Sequence, residues 1–232
     1  MWNLIGEYNR DQENPETALA RANMHKGNNN FRQAILDYNH YIKFNSAQPY
    51  PFLALADCHF FLDDNNAAIE NYEKAISIAK TEVPKEFLNN YAASLYGNAL
   101  YDKALTVVDN ILEHNKGFVF AYILKGQILL QLDKYDTAFY YLTKAVELDK
   151  KQWQGWATRM KVDYCLGDYY RVIYDYKNVI AIYADLPVTY ITTYAFALYN
   201  SGKKEEAVKE FERAKLLGDP EAKAFYEKIK NQ

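Results

Sequence analysis

The residues that most often carry chemistry are sparse in this chain and badly placed to act together. Two cysteines, Cys58 and Cys165, and four histidines, His25, His40, His59 and His114, are scattered over 232 residues. No histidine stands four residues from another, and no Cys/His spacing suits zinc. His59 adjoins Cys58, but adjacent residues on a helix point in different directions, which argues against a metal pair. Both thiols are expected to be buried small hydrophobes. Lys161, Asp163 and Tyr164 share one predicted helix, yet they form no nucleophile–base arrangement. There is no phosphate-cradling glycine loop and no nucleophile elbow. The reading is therefore of a non-enzyme with no catalytic residue, no metal and no cofactor.

Charge narrows the partners. Residues 1–116 carry 10 Lys+Arg against 15 Asp+Glu, and residues 117–232 carry 17 against 15. Neither half has the concentrated basic field that nucleic acid or an anionic membrane surface would need. The apolar runs, such as Phe118 to Leu124, fall short of the roughly 18 residues of a membrane helix. The first residues show no basic start and no cleavage site, so the expectation is a cytoplasmic protein, with the periplasm as the alternative if a signal preceded this numbering.

What organises the chain is a period. Ala34, Ala68, Ala104, Ala138, Val172 and Ala207 are separated by 34, 36, 34, 34 and 35 residues. Four residues after each comes a large side chain (Tyr38, Tyr72, Val108, Leu142, Tyr176, Phe211), and three further on another apolar one (Tyr41, Ala75, Ile111, Ala145, Val179, Ala214). Those offsets mark one helix face. A unit this short cannot bury such a face alone, so like units must stack into a solenoid. All six prolines fall between repeats, and Gly27, Gly97, Gly167 and Gly202 precede the repeated small residue, where a tight turn needs a permissive backbone. Each repeat is thus helix A, turn, helix B, with pairs predicted at about 15–44, 49–79, 85–114, 118–148, 153–183 and 188–217. A capping helix follows at about 220–230, with Asp219 as N-cap and Pro220 in its first turn. Residues 1–14, with Trp2, Ile5 and Tyr8, read as an arm or capping turn.

These repeats resemble tetratricopeptide repeats. Repeat four carries Tyr122, Gly126, Leu129, Tyr135, Ala138, Leu142 and Ala145 at the signature offsets; repeat five has Trp156 and the turn Gly167–Tyr169; repeat six has Ala195, Leu198, Gly202, Ala207, Phe211 and Ala214. Repeat one reads as carrying two extra residues in its turn, Gly27 to Phe31. The resemblance implies an all-α, right-handed solenoid of antiparallel helix pairs: residues 15–217 as six pairs and 218–232 as a cap.

It also implies that helix A lines a groove for a protein partner. Carried over by position, the groove is Tyr50, Leu53, Asp57, Phe60, Phe61, Asn89, Tyr96, Phe120, Ile123, Gln127, Leu130, Lys161, Tyr164, Phe196 and Tyr199. Thr189 and Thr192 occupy further groove positions, as do Thr17, Arg21, Met24 and His25 in repeat one. The Lys/Asn clamp that family members use on a chaperone's C-terminal carboxylate is absent, and without a cationic cluster an acidic tail has no counter-charge. A mostly apolar and aromatic groove suits a peptide or amphipathic helix. The other reading of these rings is that they pack against their own neighbours. In helix B of repeat five, Tyr169, Tyr176 and Val179 read as core, whereas Tyr170 and Tyr174 point outward. That second surface supports an alternative function, a self-associating scaffold, that is, a homo-oligomer.

Overall fold

The computed structural model describes residues 14–230, so the expectation for residues 1–13 lies outside it. Thirteen α-helices and no strand occur among the described residues: α1 Pro15–Gly27, α2 Phe31–Phe44, α3 Pro49–Phe60, α4 Asn65–Ile78, α5 Lys85–Gly97, α6 Tyr101–His114, α7 Val119–Gln131, α8 Tyr135–Leu148, α9 Trp153–Cys165, α10 Tyr169–Ile182, α11 Val188–Asn200, α12 Lys204–Leu216 and α13 Pro220–Lys230. They belong to two compact units divided after Asn115. In the first, α1/α2, α3/α4 and α5/α6 are packed pairs and each pair abuts the next. In the second, α7/α8, α9/α10 and α11/α12 pack in the same way, and α13 lies on α12.

The repeated residues build the contact between helix A and helix B. Every small residue of the series, Val172 included, is 0% exposed. The large residue four positions on and the apolar one seven positions on are also fully buried or nearly so. Helix A contributes its eighth residue to the same layer: Ala22, Ala56, Ala92, Gly126, Met160 and Ala195 are all buried. Gly126 shows how tight the layer is, since a β-carbon there would fall 2.4 Å from Cγ of Leu142.

The turn between the two helices is uniform. A left-handed residue lies fourteen positions after the first residue of each helix A and five before the repeated small residue: Asn29, Asp63, Ala99, Asp133, Gly167 and Gly202, with φ between 56° and 85°. Repeat one therefore has no extra residues in its turn, which corrects the expectation from its sequence. The irregular spacing arises in the connections from helix B to the next helix A, which run to residues 79–84 and 183–187 where the others have four residues. Gly27 and Gly97 end their helices two residues before the left-handed position, so only Gly167 and Gly202 supply the conformation that glycine favours. Asn and Asp tolerate it through local hydrogen bonding; Ala99 has no such help.

Candidate functional site

With a uniform turn, the helix A register of repeat one shifts by two residues. Counted from Pro15, its ninth and twelfth residues are Asn23 and Lys26, which take the groove positions expected of Arg21 and Met24. Arg21 instead forms a bidentate pair with Asp37 of α2, from Nε at 2.7 Å and Nη2 at 2.8 Å. Lys26 reaches into the next repeat, placing its ammonium 2.6 Å from Oδ2 of Asp57 and 5.2 Å from the Phe87 ring centroid. Tyr72 donates its hydroxyl to Oδ1 of Asp57, and Asn90 Nδ2 donates to the same oxygen at 3.1 Å. One buried carboxylate thus ties together helices of three successive repeats.

Asp57 is therefore a buried hub and not part of the exposed surface that the resemblance implies for it. Leu53 and Ile123 are also buried, and Ile123 lies beside Gly155 of the next helix A. On the first unit's surface, Tyr50 and Phe61 are about half exposed, and Phe60, Asn89 and Tyr96 are half-buried. Phe61 stacks on Phe31, with centroids 5.0 Å apart and an interplanar angle of 17°, while Phe60 meets Phe61 edge-on at 5.3 Å. Tyr96 leans on Tyr101. Asn89 keeps a buried Oδ1 with no hydrogen-bond donor. These rings pack on neighbours, Phe61 across the repeat boundary on Phe31 and Phe60 and Tyr96 within their own repeats, and still show a face.

In the second unit, Phe120 is half exposed beside Phe118, and Gln127 and Leu130 are half-buried. Lys161 is exposed, with its ammonium 4.6 Å above the ring centroid of Tyr190. Phe196 and Tyr199 are partly covered by Phe225 of α13, whose ring lies 4.9 and 5.1 Å from theirs. Beside Phe196 a cleft of about 120 Å³ opens, lined by Tyr164 of α9, Thr189, Thr192, Thr193 and Phe196 of α11, and Asp219 and Glu221 where α13 begins. Four of these, Tyr164, Thr189, Thr192 and Phe196, are groove positions named by the sequence; Asp219 is the expected N-cap of the last helix, and Glu221 belongs to the solvated face expected of that helix. Burial first, then Tyr169 and Glu221, hold the Tyr164 phenol above its ordinary pKa, so it stays protonated.

Helix α9 also carries a buried charged cluster. Arg159 donates from Nε and Nη2 to Asp175 of α10 at 2.8 and 2.7 Å, and its guanidinium lies 4.9 Å from the Trp156 centroid. Asp163 is fully buried and neither carboxylate oxygen has a hydrogen-bond donor; Arg171 Nε approaches one of them at 3.4 Å. Burial, reinforced by Asp175 and opposed by Arg171 and Arg159, raises its pKa to about 7. The sequence placed this aspartate on the helix but missed its position: it is the eleventh residue of helix A, where Leu95, Leu129 and Leu198 fill the core of other repeats. Cys58 is buried and its thiol is pushed up to about 11 by that burial. Cys165, against expectation, is exposed, because it closes α9 and faces out at the turn. Tyr170 and Tyr174 are exposed as read, and Tyr169 is half-buried at the rim of the core that holds Tyr176.

With this geometry in view, comparisons with known proteins are specific about the class. A tetratricopeptide repeat model matches residues 51–82 and 121–152. PilF from Pseudomonas aeruginosa superimposes with a TM-score of 0.77 at 17% identity, covering 92% of this chain and 97% of its own. PilW, described as a widely conserved type IV pilus biogenesis factor, gives 0.76 at 16% identity over 91% and 97%. YrrB, described as a TPR protein with an unusual peptide-binding site, gives 0.61 at 15% identity over 79% and 92%. No curated protein matches the sequence. The chain thus carries tetratricopeptide repeats at residues 51–82 and 121–152 and shares the all-α repeat fold of these structures; such repeats in general serve as protein–protein interaction modules. No described helix is long and apolar enough to cross a membrane.

Proposed function

We propose that this protein binds a peptide or short amphipathic helix of a partner protein along the helix A face of its second unit, with the cleft at Tyr164 and Phe196 as the anchoring site. The observation that carries this reading is the coincidence of an open cleft with positions that the repeat family uses for ligands. Rings with one exposed face suit that role, since aromatic anchors in partly enclosed pockets dominate such interfaces. The peptide-binding site in the description of YrrB makes peptide recognition by this fold a natural comparison.

Panning displayed peptides against the full chain, followed by calorimetry on the selected peptide, tests the proposal. Tyr164→Ala should weaken binding by about tenfold or more without lowering the melting midpoint, because Tyr164 lies at the edge of the core. A peptide indifferent to Tyr164→Ala but lost on Tyr170→Ala or Tyr174→Ala would move the site to helix B. A mass that doubles with concentration in the absence of peptide would favour the scaffold reading.

A further inference from the structure

We propose that the cleft receives a cationic side chain of the partner, the ammonium of a lysine or the guanidinium of an arginine. This rests on the groove reading above and adds the chemistry of what enters.

Four of the six polar lining residues, Thr192, Thr193, Asp219 and Glu221, offer acceptors only. Thr192 donates its hydroxyl proton to the carbonyl of Val188 and Thr193 donates to that of Thr189, so both present only lone pairs to the cavity. Asp219 is buried, and one of its oxygens accepts from the backbone N–H of Ala222 at 2.8 Å. Glu221 adds a second carboxylate at the rim, and no Lys, Arg or His is among the lining residues. Tyr164 and Phe196 also line the cleft, and the face of an aromatic ring attracts a cation within about 6 Å. The molecule already pairs its own cations in this way next door, with Lys161 over Tyr190 and Lys204 over Tyr199.

An anion is the natural rival, since α13 starts here and helix N-termini favour negative charge. That opportunity is already taken. Pro220 has no N–H, Asp219 caps Ala222, and an incoming anion would meet two carboxylates.

The test uses the isotope-labelled full chain, titrated separately with the N-acetyl, N-methylamide derivatives of lysine, arginine, norleucine and glutamate while amide shifts are followed by NMR. Lysine or arginine amide should move the signals of Thr192, Thr193 and Phe196; norleucine and glutamate amides should not. The variant Asp219→Asn/Glu221→Gln, in which Asn keeps the capping oxygen, should weaken the cation by about fivefold, and added salt should weaken it in the wild type. Equal shifts with norleucine, preferential binding of glutamate, or no shift with either cation would overturn the proposal. If the peptide selected above loses affinity on Tyr164→Ala but ignores removal of both carboxylates, the groove reading stands and this one fails. If the cationic amides bind and no peptide does, the pocket stands and the groove reading fails.

Discussion

Arg159 and Asp175 face each other across helices α9 and α10 in a two-pronged pair, and both side chains are nearly sealed from solvent, at 11% and 0% exposure. The same geometry recurs between Arg21 and Asp37, sixteen residues apart as before, but there the guanidinium is 32% exposed. Burial separates two otherwise equivalent pairs.

Removing the arginine strands a buried aspartate in either pair, but at Arg21, whose side chain is already 32% exposed, water reaches the stranded Asp37 more readily than it reaches Asp175. Arg159→Ala should therefore lower stability by about 3–5 kcal/mol, and Arg21→Ala by clearly less. Urea unfolding of the two variants checks this; equal losses would show that exposure of the arginine does not set the cost.

Asp163 gives the pH dependence. Its folded pKa of about 7 lies above that of an unfolded aspartate, ~3.9. Between those values the folded chain holds a proton that the unfolded chain has released, so stability falls as pH rises from about 4 to 7 and the deficit persists above. Asp163→Leu, which restores the side chain present at Leu95, Leu129 and Leu198, should flatten that slope and raise stability at pH 8 by about 1–3 kcal/mol. Melting midpoints at pH 5 and pH 8 decide it. A loss of stability at pH 8 would mean that the contact with Arg171 outweighs the desolvation.

Ala99 is the one turn residue that meets a left-handed backbone, φ 57°, with neither glycine's freedom nor an Asn or Asp side chain. Ala99→Gly should raise stability by about 1 kcal/mol, the strain relieved exceeding the extra entropy of the unfolded chain. Gly167→Ala, at φ 75°, should lower it by a similar amount. Thermal scans of the two variants should move in opposite directions.

Periodic burial made most of the architecture legible. A contact repeated six times needs a buried apolar residue at the same three offsets each time, and Ala138, Leu142 and Ala145 announce it as clearly as their structure does. Roles that depend on one helix face in one repeat were harder to read. GNNNF looked like an expanded turn because two glycine-like signals competed, and the left-handed residue proved to be Asn29 rather than Gly27. That slip hid Lys26 and with it the hub at Asp57, which can be seen only when three repeats are brought together. Asp163 was legible in principle: it occupies a leucine position, and a charge there is the sign of a buried cluster. Cys165 was misread because its accessibility turns on being the last residue of α9. The acidic rim of the cleft comes from a segment that the repeat pattern does not describe.

The cover that Phe225 lays over Phe196, Tyr199 and Phe211 also sets an order of events during synthesis. Residues 188–217 can coil into helices as soon as they leave the ribosome, and Phe196 can close on Phe211 and Tyr194 on Tyr176, but Phe196, Tyr199 and Phe211 keep the face that Phe225 covers open until α13 has followed. Until then the nascent chain displays part of an aromatic face to whatever chaperones meet it, so closure of this core waits on the synthesis of α13 and not on the speed of helix formation.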